Sequence, residues 1–254
     1  MEINGKAAIV TGGGTGVGRA LVLRLAAAGC SVLVNYRRSR DDAEAVAKQA
    51  EALGVTALAF QADVAEDAEC RAMVARAESA FGRLDVLVNN AGTTSFIPAD
   101  DLDAVTTEHW DRIMHVNLMG PFQCVRAARD LLKRDGGGDV VMTSSVAGIM
   151  GGGSSLPYCA SKAALNNLTI TLSRVMAPEV RVNAVAPGFI DGDWLRGGLG
   201  DAYDAVKGAI ESRSTLGRVS TPDDVALAIL SLITGSDLTT GHVLPVDGGM
   251  LVGT

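Results

Sequence analysis

Short runs of aliphatic and β-branched residues alternate with longer helical patterns along this chain, beginning in its first dozen residues. This alternation is typical of βαβ units, in which helices cover a sheet of parallel strands. Strands are predicted at 7–11, 31–35, 56–61, 86–89, 140–144, 182–186 and 243–246. Helices are predicted at 17–28, 41–53, 66–81, 108–134, 157–176 and 221–233. The sequence therefore predicts an α/β fold built on a parallel sheet.

The size and composition of the chain favour one compact domain. Its 254 residues are 48% hydrophobic and 20% charged, which is enough apolar material for a large core. No fixed-period repeat and no Pro/Gly/Ser linker divides the sequence. We therefore expect one domain over residues 1–254.

The charge pattern argues against nucleic acids and membranes as partners. The net charge is -7, and basic residues cluster only at Arg37, Arg38 and Arg40. The chain has ten aromatic residues, which is few for a surface that stacks bases. A positively charged patch for phosphates or anionic lipids is therefore not expected.

The cysteines and histidines predict neither a metal site nor a disulfide framework. The cysteines are far apart, and no histidine has metal-ligand spacing with another histidine or a carboxylate. The N-terminal residues lack the charged and apolar regions of a signal peptide. Together these features predict a reducing, cytoplasmic location. The residues concerned are Cys30, Cys70, Cys124, Cys159, His109, His115 and His242.

The segment 189–216 interrupts the alternation of strands and helices. It follows a predicted strand and contains four glycines before Asp201. Long irregular segments in compact domains are usually lids or binding loops. We expect this segment to be a loop that covers the substrate.

A glycine-rich turn follows the first predicted strand directly, with the sequence TGGGTGVG at 11–18. Glycines there permit positive φ and close approach of a ligand, and the N–H groups at the following helix start favour a pyrophosphate. The spacing is Gly-x3-Gly-x-Gly rather than Gly-x-Gly-x-x-Gly. The position of the turn nevertheless predicts a dinucleotide site.

The end of the second strand bears on the choice of dinucleotide. A carboxylate there would hold the ribose 2′-hydroxyl of NAD, but Tyr36 occupies that position and Arg37 and Arg38 follow. Two guanidinium groups would attract a 2′-phosphate. NADP(H) is therefore favoured, and NAD(H) stays possible.

Two Tyr-x3-Lys pairs are candidates for acid–base chemistry: Tyr158 with Lys162, and Tyr203 with Lys207. A lysine ammonium about 4 Å from a phenol would lower the phenol pKa by roughly three, bringing it near neutral pH. Helical i, i+4 spacing places the two groups on one face.

The surroundings of the two pairs separate them. Ser145 precedes Tyr158 by thirteen residues and ends a predicted strand, where ligands of α/β sheets bind. The residue thirteen before Tyr203 is Ile190, which offers no polar group. We therefore interpret Tyr158 and Lys162 as functional, and Tyr203 and Lys207 as part of an ordinary exposed helix.

The chain resembles the short-chain dehydrogenases/reductases of about 250 residues, nearly from end to end. The resemblance is carried by the segments 11–18, 63–64, 89–92 and 187–188, and by Asn117, Ser145, Tyr158 and Lys162. It implies a single Rossmann-like, doubly wound domain with about seven parallel strands and helices on both faces. It also implies a homo-oligomer, a tetramer or a dimer.

The resemblance also implies roles for individual residues. Ser145 would bind a substrate carbonyl while Tyr158 acts as general acid/base, Lys162 would tune the phenol and hold the nicotinamide ribose, and Asn117 would hold a water beside that lysine. Cofactor contacts are implied for Gly12, Thr15, Gly16, Val17, Gly18, Tyr36, Arg37, Arg38, Asp63, Val64, Asn90, Ala91, Gly92, Tyr158, Lys162, Pro187, Gly188 and Ile190.

Two positions depart from the family pattern. Gly192 stands where a threonine often contacts the cofactor, and Thr15 stands where many NADP-dependent members have a basic residue. The first implies that this contact with the cofactor is lost. The second leaves the arginines after the second strand to determine any NADP preference.

The expected substrate is a small carbonyl compound or secondary alcohol. Ten positions expected to face it are largely apolar and include no Lys or Arg, which favours a neutral or partly apolar molecule. They are Thr94, Ser95, Phe96, Ala147, Met150, Gly151, Leu156, Phe189, Trp194 and Leu195.

Three alternatives to this function stay open at this point. The chain is similar to 3-oxoacyl-(acyl-carrier-protein) reductases and, around residues 34–37, to glucose dehydrogenases. Against the first of these, it has Pro178 and Glu179 where those reductases have a basic residue for their acidic carrier. A dinucleotide sensor without turnover is a second alternative, because fold alone does not establish chemistry. A lyase or epimerase is the third, although such enzymes usually have a separate substrate domain.

Overall fold

The computed structural model describes residues 1–253 and contains a seven-stranded parallel sheet. The strands are β1 (Ala7–Val10), β2 (Ser31–Tyr36), β3 (Ala57–Gln61), β4 (Val86–Asn89), β5 (Gly138–Thr143), β6 (Val180–Pro187) and β7 (Val243–Val246). Their order is β3-β2-β1-β4-β5-β6-β7, and every neighbouring pair is parallel. The predicted α/β fold is confirmed. The strand order reverses between β1 and β4, which is where ligands bind in open sheets.

Helices cover both faces of the sheet. They are α1 (Gly16–Ala27), α2 (Arg40–Glu51), α3 (Asp67–Phe81), α4 (Thr107–Met114), α5 (Gly120–Leu132), α6 (Ala147–Met150), α7 (Leu156–Met176), α8 (Asp193–Leu199), α9 (Tyr203–Arg213) and α10 (Pro222–Thr234). Helices α1, α2 and α10 pack on one face, and α3, α5 and α7 on the other. Within residues 1–253, none of the helices has the length and apolar character needed to cross a membrane.

The central strands are buried on both faces, so their sequences are continuous apolar runs and do not alternate between apolar and polar residues. In β1, Ala8 and Val10 pack with α1 and α10, whereas Ile9 packs with α3 and α5. All three side chains are fully buried. The doubly wound arrangement therefore follows from strands that carry apolar side chains on both faces.

The predicted helix 108–134 is interrupted. Helix α4 ends at Met114, a π-helical segment spans His115–Met119, and α5 begins at Gly120. Hydrophobic periodicity continues through this interruption, which is why the sequence pattern indicated one helix. The π-helical segment contains Asn117.

The prediction that 189–216 is an irregular loop was wrong. The segment contains α8, a 3₁₀ turn (Gly200–Ala202) and α9. Its apolar side chains pack around Phe189 and Tyr203, and this packing outweighs the low helix propensity of its glycines. Tyr203 is 2% exposed, so the expectation of an ordinary exposed helix was also wrong at that residue.

Candidate active site

A cavity of about 770 Å³ lies at the carboxyl ends of the strands, beside the reversal of strand order. The segments that follow β1 through β6 all contribute to its wall. Most residues singled out in the sequence line it: Gly12, Thr15, Gly16, Val17, Arg37, Arg38, Asp63, Val64, Asn90, Ala91, Gly92, Ser145, Tyr158, Lys162, Pro187, Gly188 and Ile190. Gly18, Tyr36 and Asn117 are not part of the wall.

The glycine-rich turn has a backbone that only glycine adopts without strain. Gly12 and Gly16 have φ values of 62° and 50°. Gly18 lies beneath the turn, where a Cβ atom would come within 2.1 Å of the Gly12 carbonyl oxygen. The turn therefore brings backbone N–H groups of the α1 N-terminus to the cavity wall. This geometry fits the pyrophosphate of a dinucleotide.

Asn35 is a residue of this turn that the sequence analysis missed. Its amide oxygen accepts a hydrogen bond from the Gly12 N–H at 3.2 Å, and its amide nitrogen donates to the Ala62 carbonyl at 3.0 Å. It lines the cavity and is 2% exposed. An asparagine inside an otherwise apolar strand was the available signal, because a buried amide needs hydrogen-bond partners.

The end of β2 differs from the expectation at Tyr36. That side chain is buried among α1 and α2 residues, so the structure does not bring it to the cavity. Arg37 forms an ion pair with Asp63, with Nε 2.6 Å from Oδ2. Arg38 is exposed and lines the cavity. The two arginines are therefore not equivalent.

Tyr158 is held in the first turn of α7. The hydroxyl of Ser155 accepts a hydrogen bond from its N–H at 3.4 Å and caps the helix. The side chain is buried, and burial raises the pKa of Tyr158 to about 12, while interaction with the Ser145 hydroxyl acts in the opposite direction. The ring of Trp194 contacts the tyrosine edge-on, with the centroids 6.3 Å apart.

Lys162 lies one turn further along α7 and is also buried. Its Nζ donates a hydrogen bond to the Thr143 carbonyl at 2.7 Å and lies 5.7 Å from the centre of the Tyr158 ring. Burial lowers the pKa of Lys162 to about 8. In the chain alone the pKa of Tyr158 lies above its ordinary value, contrary to the expectation of a phenol near neutrality, and desolvation by burial is the largest cause.

Ser145 and Asn117 occupy different layers of the site. Ser145 lines the cavity, and its Oγ accepts a hydrogen bond from the Ala147 N–H at 3.1 Å. Asn117 is fully buried behind the wall. Its amide oxygen accepts a hydrogen bond from the Thr93 N–H at 2.8 Å, and its amide nitrogen donates to the Thr93 carbonyl and to the Ser161 hydroxyl, both at 3.0 Å. Asn117 therefore fixes the loop after β4.

The substrate side of the cavity is mainly apolar. Seven of the ten expected positions line it: Thr94, Phe96, Ala147, Met150, Phe189, Trp194 and Leu195. Ser95, Gly151 and Leu156 do not. The sequence analysis missed Leu199, Val206, Ile210, Arg213 and Met250.

Three of the missed residues lie on one face of α9. Val206, Ile210 and Arg213 have the i, i+4, i+7 spacing that marks a helix face, so a signal was present in the sequence. Arg213 also corrects the expectation that no Lys or Arg would line this side. The wall is thus apolar with one guanidinium group at the end of α9.

The arrangement combines a dinucleotide-shaped turn with a buried phenol, a serine hydroxyl and an apolar wall. These features fit a dinucleotide-dependent oxidoreductase. The sequence matches the short chain dehydrogenase family over residues 6–197, and the chain belongs to that family. It is an oxidoreductase that acts on CH–OH groups and ketones.

Relatives of the chain cover nearly its full length. A protein of Streptomyces violaceoruber named as ketoacyl reductase 2 of the granaticin polyketide synthase is 44% identical over 95% of this chain and 94% of its own. The 3-oxoacyl-(acyl-carrier-protein) reductase FabG of Staphylococcus aureus is 38% identical over 96% of this chain and 98% of its own.

Solved structures show the same fold. A crystal structure from Burkholderia xenovorans, titled as a short-chain dehydrogenase/reductase, has a TM-score of 0.90 and 37% identity, with 98% of both chains covered. A structure from Sinorhizobium meliloti 1021, titled as a short-chain alcohol dehydrogenase, has a TM-score of 0.91 and 30% identity. It covers 99% of this chain and 98% of that one.

Proposed function

We propose that this protein is an NADP-dependent reductase of neutral or partly apolar ketones, with Tyr158 as the proton donor. The observation that carries the proposal is the position of the Tyr158 phenol, which lines the same cavity as the glycine-rich turn and the apolar wall. The reverse reaction, oxidation of a secondary alcohol, uses the same groups.

The chain's own residues would act as follows. The Ser145 hydroxyl donates a hydrogen bond to the substrate carbonyl oxygen and orients it toward the Tyr158 phenol, which donates the proton. When bound, reduced nicotinamide supplies the hydride. Lys162 stabilises the phenolate that remains, and Asn117 holds the cavity wall beside it. A phenol whose pKa is about 12 is protonated at neutral pH, which suits a proton donor.

The NADP preference is supported mainly by Arg38. The guanidinium of Arg37 forms an ion pair with Asp63, whereas Arg38 lies on the cavity wall beside Ser39. No carboxylate stands at position 36 to bind a ribose 2′-hydroxyl or repel a 2′-phosphate. NADP(H) is thus the proposed cofactor, with NAD(H) as the second choice.

The decisive experiment follows NADPH oxidation across a panel of aliphatic, aromatic and 3-oxoacyl ketones. We expect turnover by the wild type and a loss of roughly 10²–10⁴-fold in Tyr158→Phe. Tyr36→Phe is the matched control, because Tyr36 is buried away from the cavity, and it should retain activity. Equal activity of Tyr158→Phe and Tyr36→Phe would refute the assignment.

The cofactor assignment is tested by binding of NADPH and NADH to two variants. Arg38→Ala should weaken NADPH binding by about tenfold or more and leave NADH nearly unchanged, since only NADPH has a 2′-phosphate. Arg37→Ala should have a smaller effect, because Asp63 already neutralises that guanidinium. An equal loss for both cofactors would contradict the 2′-phosphate argument.

A second candidate is reduction of 3-oxoacyl groups on an acyl carrier protein. It is favoured by the names of the relatives at 44% and 38% identity. Charge argues against it: Glu179 stands after α7 and pairs with Lys133, and Arg134 pairs with Glu78. Lys133 and Arg134 are already paired with carboxylates, so they would attract an acidic carrier only weakly. Comparing a 3-oxoacyl group on a carrier with the same group on a small thiol discriminates the two functions.

We further propose that the chain forms a tetramer or dimer and acts in the cytoplasm. All four cysteines are free thiols, which supports a reducing compartment. The resemblance to short-chain dehydrogenases supports the oligomer. Sedimentation velocity at micromolar concentration tests it, and a monomer would refute it.

A further inference from the structure

The second Tyr-x3-Lys pair converges on one carboxylate. The Tyr203 hydroxyl donates a hydrogen bond to Asp191 Oδ1 at 2.5 Å, and Lys207 Nζ donates to Asp191 Oδ2 at 2.5 Å. The same hydroxyl accepts a hydrogen bond from the Gly192 N–H at 3.3 Å. Both oxygens of Asp191 are therefore engaged by the first two turns of α9.

These contacts connect two parts of the cavity. Asp191 directly follows Ile190, a cavity residue just beyond the end of β6, and Tyr203 and Lys207 lie on α9. Helix α8 lies between the two anchor points in sequence. The anchored segment supplies Trp194, Leu195, Leu199, Val206 and Ile210 to the substrate side of the cavity.

Helix α8 has little stability of its own. It has seven residues, two of which are glycines, and none of its side chains is fully buried. Isolated helices of this length do not form in water, so α8 depends on its neighbours. Leu195 and Leu199 of α8 pack against the cluster that contains Phe189 and Tyr203, whose rings are 5.5 Å apart.

The charges around Asp191 favour the contacts. Hydrogen bonds from Lys207 and Tyr203 lower the pKa of the Asp191 carboxyl, and the hydrogen bond with Asp191 raises the pKa of Lys207. The guanidinium of Arg196 lies 4.1 Å from the centre of the Tyr203 ring and 3.8 Å from Asp191. The carboxylate therefore faces two cations and a phenol.

We propose that Asp191, Tyr203 and Lys207 form a latch that positions α8 and α9 over the substrate side of the cavity. The latch works through contacts within the chain, so the segment is ordered whether or not a dinucleotide is bound. Its three members are positioning residues, because none of them has to touch the reacting atoms. The inference rests on the proposed function only in treating this side of the cavity as the substrate site.

Trypsin provides a test that does not depend on activity. It cleaves after Arg196 in α8 and after Lys207 and Arg213 in α9, and cleavage requires local opening of the segment. In the protein without added cofactor, Asp191→Asn should speed cleavage after Arg196 by about tenfold or more, because hydrogen bonds to a charged group are lost. Mass spectrometry of the fragments identifies the site.

Matched variants separate the latch from general effects of charge and folding. Asp204→Asn removes an acid from the same helix, and Asp204 is 89% exposed and has only a 3.9 Å contact with Arg196. It should be cleaved at the wild-type rate. Tyr203→Phe keeps the ring against Phe189 and should give an intermediate rate even if Asp191→Asn folds poorly. Cleavage of both latch variants at the rate of Asp204→Asn would overturn the proposal.

Kinetics on an accepted ketone give a second readout. Loosening the substrate wall should raise the ketone KM of Asp191→Asn several-fold with kcat nearly unchanged, because uniform binding is lost and the chemical groups are intact. A fall in kcat at constant KM would overturn the positioning role. If no ketone is turned over, the proposed function fails, and the trypsin comparison still decides the latch.

Discussion

At the scale of single residues, the ionisation of Lys162 is the most informative feature. Its ammonium is buried and bonded to one carbonyl, that of Thr143, and burial lowers its pKa to about 8. A lysine with that pKa exchanges its proton near physiological pH, unlike an exposed lysine. Lys162 can therefore both stabilise a phenolate and pass on a proton.

This ionisation gives a direct prediction. Among the five lysines, one ¹³Cε signal should titrate with a midpoint near pH 8 and be missing from Lys162→Met. The folded chain loses this proton near pH 8 and the unfolded chain near 10.5, so the free energy of unfolding of the wild type should rise by about 3 kcal/mol over that interval, relative to Lys162→Met. A midpoint above 10 would contradict the burial argument.

At the scale of elements, the glycines of this chain divide into required and replaceable ones. Gly18 supports the turn at the start of α1, where a Cβ atom would overlap the Gly12 carbonyl oxygen. Gly208 lies inside α9, and a Cβ atom there would meet nothing within 4 Å. The same residue type therefore serves packing in one helix and has no packing role in the other.

We expect the substitution of alanine for glycine to have opposite effects at Gly18 and Gly208. Gly18→Ala should destabilise the fold and abolish dinucleotide binding, because the turn must move to admit the methyl group. Gly208→Ala should raise the free energy of unfolding by about 0.5–1 kcal/mol, as alanine is the better helix former. Urea unfolding of both variants measures this, and equal effects would refute the distinction.

The sequence predicted elements better than it predicted where side chains face. The strands were found because they are apolar on both sides, and most cavity residues follow from their position after strand ends. Tyr36 was misplaced because side chains alternate along a strand. It shares the face of Val32 and Val34 in the core, whereas Asn35 points to the cavity. Helix α8 was missed because its stability comes from packing on Phe189 and Tyr203, whereas α9 carried a helical pattern of which only the turn with Tyr203 and Lys207 was interpreted.

At the scale of the whole molecule, Arg181 joins three elements. Its guanidinium donates hydrogen bonds to the carbonyls of Leu232 and Ile233 in α10, and it pairs with Asp139 of β5 at 2.7 Å. Asp139 is buried, and desolvation raises its pKa to about 6 despite this partner. The arginine thus bonds carbonyls at a helix end and pairs with one oxygen of a buried carboxylate, whose other oxygen, Asp139 Oδ2, has no hydrogen-bond partner.

Removing that arginine should be costly. Arg181→Met should lower the free energy of unfolding by roughly 3–5 kcal/mol, because a buried carboxylate loses its partner. The loss should be larger at pH 8 than at pH 5, since Asp139 is charged only above its pKa of about 6. The control is Arg218→Met, which breaks an exposed pair with Asp224 and should cost at most about 1 kcal/mol. Thermal unfolding at both pH values distinguishes the two.

The π-helical segment His115–Met119 has a consequence for changes in chain length. A π-helical turn holds about one residue more than an α-helical turn, so loss of one residue here would convert the segment to a plain α-helix while α4 and α5 keep their faces. Cys124 and Ala128 of α5 would then stay against the sheet, but Asn117 would turn away from Thr93. Loss of one codon would therefore remove the contact behind the cavity wall and leave the packing of the helix in place.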